Sequence, residues 1–198
     1  LRWLVMQGRC STDLTEAVPK VPTWRLARLP RYIPADDVER ILAACDRPSP
    51  VARRDRAMLL LLARLGLRAG DVVGLRLGDI EWGQGRLRVA GKGRRETRLP
   101  LPQDVGDAIL GYLEFERPAV ARDHVFLTAR TAIRPIGSNG LRDVVGRAIE
   151  RAGVEAPSRG THILRHSLAT RLLREGATLD AIGALLRHRD VSTTALYA

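Results

Sequence analysis

Apolar side chains recur every three or four positions along most of the chain, and this spacing predicts a mainly helical fold. The segment 35–45 shows the pattern, with its apolar residues on one helical face and two aspartates in the first turn. A second, more apolar helix is predicted over 53–65 and ends at Gly66. Further helices are predicted over 102–115, 141–151, 161–175 and 178–186 (with Thr178 as N-cap), and short ones near Ala69 and Ser192.

One stretch has a different period. Between 79 and 101 apolar residues alternate with arginines, and glycines mark turns at 83–85 and 91–94, which predicts a small antiparallel sheet. A short extended segment is also predicted over 125–127. We therefore expect a mostly α fold with one small antiparallel β-sheet, of the α+β class.

The first 30 residues differ from the rest of the chain. Pro19, Pro22 and Pro30 exclude a long helix or a central strand there. We interpret residues 1–30 as the tail of an upstream domain followed by a linker, with an ordinary extended N-terminal arm as the alternative. Residues 31–198 then form the main domain, which is long enough to bury its own core.

The chain carries a formal net charge of +11, and its basic residues lie within the predicted elements rather than in a tail. Such a surface is typical of proteins that bind a polyanion, because Lys and Arg release the counterions condensed on phosphates. Aromatic residues make up only 4% of the chain, which disfavours the base-stacking mode of single-strand binders. Contact with a nucleic-acid duplex is therefore expected, and a ribosomal-type protein or a membrane-surface binder is the alternative.

Other features set the expected compartment. The longest apolar run, 57–63, is too short to span a bilayer, and the N-terminus lacks the features of a secretory signal. Cys10 and Cys45 indicate neither a disulfide framework nor a zinc knuckle. We expect a cytoplasmic protein that contacts no membrane.

The closing segment 161–198 concentrates the reactive side chains, with three of the four histidines and Tyr197. Helical spacing places His162 and Arg165 on one face, with His166 one turn from His162. Thr161 is positioned to cap this helix, whose N-terminus favours a phosphate.

Two kinds of site fit this spacing. His-x-x-x-His is a zinc-ligand spacing, but Ile163 stands where the metalloprotease motif has glutamate, and no acidic residue is near in sequence. In the other interpretation Arg165 is a bidentate clamp for a phosphate and His162 carries a proton. We favour the phosphate site and expect His166 to be a partly buried structural histidine.

Of the 33 basic residues only Lys20 and Lys92 are lysines. An ammonium can give up a proton and a guanidinium practically cannot. Lys92, in the turn at 91–94, is therefore a candidate for acid–base chemistry.

Five short motifs occur in order along the chain. Residues 66–71, GLRAGD, fit G-[LM]-R-x-x-E with Asp in place of Glu, and residues 91–101, GKGRRETRLPL, fit G-K-G-x-x-x-R-x-[VL]-P-L. Near the end are 162–170, HILRHSLAT, for H-x-L-R-H-[ST]-x-A-T; 185–188, LLRH, for L-L-G-H; and 192–197, STTALY, for S-T-T-x-x-Y. Over residues 30–198 the chain thereby resembles the tyrosine recombinases, also called the phage integrase family, which cut and rejoin DNA through a tyrosine.

The resemblance implies the fold of a tyrosine recombinase catalytic domain. It also implies that Tyr197 attacks the scissile phosphate and becomes a 3′-phosphotyrosine. Arg68 and Arg165 then hold the two non-bridging oxygens, where charge builds in the transition state. Asp71, one helical turn after Arg68, holds a catalytic side chain in place.

The remaining matching residues move protons or bind the phosphate. By resemblance Lys92 is the acid for the 5′-hydroxyl leaving group, and His162 is the acid–base partner of Tyr197. His188 bonds the phosphate or orients the site. No metal and no other cofactor is expected, because fixed cations take the metal's place, and the phosphotyrosine conserves the bond energy so that rejoining needs no ATP.

The resemblance further implies double-stranded DNA as the partner and a homotetramer on that DNA. Arg94 and Arg95, beside Lys92, are expected to contact DNA. Arg187 stands where the family usually has glycine, and two roles stay open for it: lowering the pKa of the neighbouring His188 imidazole, or reaching a DNA phosphate.

Residues 1–30 become, on this resemblance, the tail of an N-terminal DNA-clamping domain with its linker. The catalytic domain over 31–198 stops one residue after Tyr197, where relatives usually continue, so we expect it to be truncated. Site-specific recombination or integration is the expected function. A decayed, non-catalytic DNA-binding module and a type IB topoisomerase that relaxes DNA are the alternatives.

Overall fold

The computed structural model describes residues 5–9, 31–45, 49–90, 96–129 and 132–187. The helices in these ranges are α1 (Ala35–Ala43), α2 (Ala52–Leu65), α3 (Ala69–Val73), α4 (Gln103–Phe115), α5 (Ser138–Arg151), α6 (His162–Arg174) and α7 (Leu179–Leu185). The strands are β1 (Ile80–Glu81), β2 (Arg86–Ala90) and β3 (Glu96–Pro100). The predicted mostly α fold with one small antiparallel sheet is confirmed.

The core is organised around α2. Its sequence is apolar on every side from Ala57 to Ala63, and all seven of those residues are buried. A helix that is apolar all round must be surrounded, and α2 contacts α1, α4, α5 and α6. The helix ends at Gly66, whose φ of 56° is left-handed, as its position in the sequence predicts.

A buried polar network fixes the extended segment 125–127 against this core. Arg54 donates from Nε and Nη2 to Asp55 Oδ1 at 3.0 and 2.7 Å, and from Nη1 to the Leu127 carbonyl at 3.0 Å. The Leu127 N–H donates to the Tyr112 hydroxyl at 3.2 Å. Both main-chain polar groups of Leu127 are therefore satisfied by side chains.

The sheet has the order β1-β2-β3 with both pairs antiparallel. Leu87 pairs with Ile80 on one side and Leu99 on the other, and all three side chains are buried. The alternating arginines of β2 lie on the opposite face, as period-2 alternation predicts. The predicted turn at 91–94, which carries Lys92, Arg94 and Arg95, lies outside the described residues.

The start of α5 and the cap of α6 differ from the prediction. α5 begins at Ser138 rather than at 141. Its first turn is exposed and has no apolar pattern, so apolar spacing does not reveal it. The predicted cap by Thr161 is wrong: its backbone is helical (φ −58°, ψ −29°) and its hydroxyl makes no capping bond. The main chain closes that turn instead, with the Ile163 N–H donating to the Gly160 carbonyl at 3.2 Å. The cap by Thr178 is confirmed, since its hydroxyl accepts from the Ala181 N–H at 3.2 Å.

A smaller apolar cluster joins α7 to α6 through Leu168, Ala169, Ile182 and Leu186. It brings the end of α7 beside the loop that follows α2. Among the described helices, none combines the length and the apolar character that a bilayer crossing requires.

Candidate active site

Arg68 lies at the N-terminus of α3, directly after the loop that ends α2. Its main-chain N–H donates to Asp71 Oδ2 at 2.9 Å, so Asp71 caps the helix and fixes the backbone of Arg68. Its side chain is exposed, and Nη2 donates to the main-chain carbonyl of Arg187 at 2.9 Å.

Gly66 allows α6 and α7 to approach this loop closely. A Cβ atom at this position would lie 2.5 Å from Leu186 Cδ2 and 3.1 Å from Leu168 Cδ2. The left-handed φ of 56° also favours glycine. The glycine of the first motif thus serves both the turn and the contact that brings the two parts of the site together.

Arg165 fastens the same contact from α6. Its side chain is only 8% exposed, and it donates from Nη1 to the Gly66 carbonyl and from Nη2 to the Leu186 carbonyl. Its guanidinium therefore bridges the loop after α2 and the end of α7. Arg68 and Arg165, which are 97 positions apart, are held at one junction of the fold.

Arg187 completes this junction. Its guanidinium donates from Nη2 to Asp71 Oδ2, and its carbonyl accepts from Arg68 as described. The side chains of Arg187 and Asp71 are 9% and 13% exposed, so the ion pair is largely desolvated. Arg187 therefore joins Arg68, Asp71 and Arg165 in one cluster.

His162 is exposed at the start of α6, one turn before Arg165. Its ring meets that of His166 edge to face, with centroids 5.7 Å apart. A Cβ on Gly160 would lie 2.7 Å from both Cε1 and Nδ1 of His162, so Gly160 leaves the space that the imidazole occupies.

His166 is half-buried, as expected. Burial lowers the pKa of its imidazole below the ordinary value, and the nearby charges of His162 and Arg165 lower it further. In the part of the chain that the structure describes, no group of three or more His, Cys, Asp or Glu side chains could hold a metal ion.

An open depression of about 840 Å³ lies beside His162 and extends to Ala69, the neighbour of Arg68. Its wall includes three exposed arginines of or near α5 and two carboxylates: Arg142, Arg147, Arg159, Asp143 and Glu150. The site therefore opens onto a surface broad enough for an extended anionic ligand.

The structure brings together four residues singled out from the sequence, Arg68, Asp71, Arg165 and Arg187, and places His162 one turn away. Lys92, Arg94, Arg95, His188 and Tyr197 lie outside the described residues. The sequence interpretation missed Gly160 and the arginines of the depression. The sequence offers a signal for Gly160, since it lies two residues before His162, but none for these arginines.

The chain matches the family model described as "Phage integrase family" over residues 31–198. It is 50% identical to the protein named integrase/recombinase y4rA of Sinorhizobium fredii, over 97% of the chain and 47% of that protein. It is 37% identical to the tyrosine recombinase XerD of Proteus mirabilis, over 91% of the chain and 57% of that protein. The chain thus spans about half the length of these relatives.

A solved structure extends the comparison to the fold. The XerH site-specific recombinase, in a post-cleavage complex with palindromic difH substrate, matches with a TM-score of 0.74 at 24% identity. The match covers 86% of the chain and 50% of that protein. The fold is that of tyrosine recombinase catalytic domains. With the family model matching 31–198, the resemblance drawn from the five motifs is confirmed, and the chain belongs to the phage integrase family, the tyrosine recombinases.

Proposed function

We propose that residues 31–198 are the catalytic domain of a site-specific recombinase that cleaves and rejoins double-stranded DNA through a phosphotyrosine at Tyr197. The observation that carries the proposal is the junction at which Arg68 and Arg165 meet, with His162 one turn away on α6. The names of the relatives support it, since y4rA and XerD are named as recombinases.

The two arginines suit the electrostatic part of this reaction. Displacement at a phosphodiester builds negative charge on the non-bridging oxygens, and fixed guanidinium groups stabilise that charge without reorganisation. The main-chain carbonyls of Gly66 and Leu186 orient the Arg165 guanidinium, and that of Arg187 orients Arg68. Loss of one such donor lowers the rate of chemistry by about 10²–10³-fold in comparable sites.

The proton transfers complete the step. The Tyr197 oxygen forms a bond to phosphorus as its proton passes to His162, and the bond to the 5′ oxygen breaks as Lys92 supplies a proton. His188 bonds the phosphate or orients the site. Rejoining is the reverse step, in which the 5′-hydroxyl attacks the phosphotyrosine, so no high-energy cofactor is consumed.

DNA is the proposed substrate on the grounds of charge and of similarity. A net charge of +11 supports counterion release from a duplex, and the depression beside His162 has three exposed arginines in its wall. The XerH structure contains its difH substrate. We further propose that the protein acts in the cytoplasm and binds DNA as a homotetramer. Fixed cationic side chains take the place of a metal in the reaction.

A suicide substrate with a nick near the cleavage point of the target site tests this proposal. The short fragment that carries the 5′-hydroxyl leaving group diffuses away after cleavage, so that rejoining is prevented and the covalent intermediate accumulates. We expect a protein–DNA adduct that persists in EDTA and that Tyr197→Phe abolishes. Matched binding curves for the two proteins show whether the variant still holds DNA. An adduct that survives in Tyr197→Phe, or salt-sensitive binding with no adduct from the unmodified protein, contradicts the proposal; the latter is the behaviour of a non-catalytic DNA-binding module.

A further inference from the structure

The backbone at Arg187 adopts a conformation that favours glycine. Its φ is 53°, in the left-handed region, and Arg187 and Ala132 are the non-glycine residues with positive φ in the described part of the chain. Arginine is unfavourable here because its Cβ crowds the backbone. A compensating interaction of the side chain is therefore expected.

That interaction is with Asp71. The Arg187 side chain is 9% exposed, and Nη2 donates to Asp71 Oδ2. The other guanidinium atoms, Nε and Nη1, are buried and have no hydrogen-bond partner among the described residues. A buried guanidinium is unfavourable unless its charge is paired, so the Asp71 carboxylate holds this side chain in place.

The contacts of Arg187 close a ring of hydrogen bonds that includes Arg68. The Arg68 N–H donates to Asp71, the Arg187 side chain donates to the same carboxylate oxygen, and the Arg68 side chain donates to the Arg187 carbonyl. The position of the exposed Arg68 guanidinium thus depends on Arg187 twice, through its side chain and through its main chain. The Arg187 guanidinium itself is turned inward onto Asp71, and its side chain is 9% exposed.

We propose that Arg187 is a positioning residue, which sets the guanidinium of Arg68 for the scissile phosphate by holding Asp71 and the end of α7 in register. This inference rests on the proposed function of the site. Of the two roles left open by the sequence, contact with a DNA phosphate does not fit, because the side chain is paired with Asp71. The effect on the pKa of His188, which lies outside the described residues, stays a prediction. The chemistry is left to Arg68, and Arg187 acts through it.

The test is a double-mutant cycle on R187G and D71N, read in single-turnover adduct formation on the suicide substrate at saturating protein. Glycine accepts the left-handed backbone, so R187G removes the side chain without adding strain. Asparagine keeps an oxygen for the Arg68 N–H but removes the charge. We expect each change to lower the cleavage rate constant by about 10–100-fold, and the double change to lower it no further than the worse single one.

Two measurements separate positioning from the other roles of an arginine. The slope of log affinity against log salt should be the same for R187G as for the unmodified protein, whereas loss of a phosphate contact would make it shallower by about 0.9. R187K, which keeps a charge able to reach Asp71, should recover part of the rate. R122Q removes an exposed charge outside the site and serves as the control for net charge.

The free energies of unfolding of the unmodified protein, R187G, D71N and the double variant give a second measurement, which needs no DNA. D71N should destabilise the unmodified background more than the R187G background, because only the former is left with a buried unpaired charge. The positioning role is overturned if R187G cleaves at the rate of the unmodified protein. It is also overturned if the salt slope becomes shallower in R187G and not in the control R122Q. If the unmodified protein forms no adduct, the proposed function is wrong. Coupling between Arg187 and Asp71 in the free energy of unfolding would then show that Arg187 stabilises the fold and has no role in cleavage.

Discussion

At the scale of single residues, folding alters the protonation of His166. It is half-buried on α6, and burial, His162 and Arg165 all lower the pKa of its imidazole. In the unfolded chain the same imidazole has its ordinary pKa near 6.5. Between that value and the lower pKa of the folded state, the unfolded chain binds more protons, so acid favours unfolding.

The free energy of unfolding should therefore fall as the pH drops from 7 through 6.5 toward the folded-state pKa of His166. H166Q should remove this part of the pH dependence. Urea unfolding at a series of pH values measures it for both proteins. The difference in the free energy of unfolding between the unmodified protein and H166Q should be constant above pH 7, where the imidazole is neutral in the folded and the unfolded state. Identical pH profiles of the two proteins below pH 6.5 would contradict the assignment to His166.

Gly160 offers a second residue-scale prediction. A Cβ there would meet the ring of His162 at 2.7 Å, and the ring, at the end of a rotatable side chain, should turn aside. G160A should therefore lower the rate of adduct formation by about 10–100-fold while the midpoint of thermal unfolding stays nearly constant. G78A is the control, since a Cβ on Gly78 meets nothing within 4 Å. Equal rates for the two variants would mean that the orientation of His162 is unimportant.

At the scale of elements, the site depends on how closely the loop after α2 approaches α6 and α7. Gly66 permits that approach, and Arg165 fastens it through the carbonyls of Gly66 and Leu186. No single helix carries the site, because Arg68 comes from the start of α3 and Arg165 from α6. Strain at the contact between these elements should therefore affect both stability and cleavage.

G66A should lower the free energy of unfolding by about 1–3 kcal/mol through crowding against Leu186 and Leu168, in addition to the strain of a left-handed alanine. G85A separates the two effects, because Gly85 has a φ of 58° but no atom within 4 Å of its Cβ position. Chemical denaturation of both variants gives the difference. If G66A is no more destabilising than G85A, the close approach at Gly66 contributes nothing.

At the scale of the whole molecule, the sequence is most informative where the signal is local. Apolar spacing predicts α2 and its end at Gly66, and alternation predicts the small antiparallel sheet in which Leu87 lies. Local rules fail at Thr161, where a main-chain turn at Gly160 replaces the expected side-chain cap. They also miss the first turn of α5, which faces solvent and has no apolar pattern.

The types of residue in the site are predictable from motifs, and their contacts are not. The five motifs single out Arg68, Asp71 and Arg165 without showing that Arg165 bonds the carbonyl of Gly66. That contact joins positions 99 apart, and the one between Arg68 and Arg187 joins positions 119 apart. Such contacts depend on how the helices pack, and a local sequence pattern carries no information about that packing. The same is true of Arg187, whose partner Asp71 emerges only from the folded chain.

The separation of Arg68 and Arg187 along the chain has a consequence for synthesis. A contact across 119 positions closes a long loop, and contacts of this kind form late in folding because the loop entropy must be overcome first. During translation Arg68 leaves the ribosome long before α6 and α7, so a nascent chain cannot hold its arginines together. Under the proposed function, the arginine pair that cleavage requires is therefore assembled only after α6 and α7 have been synthesised.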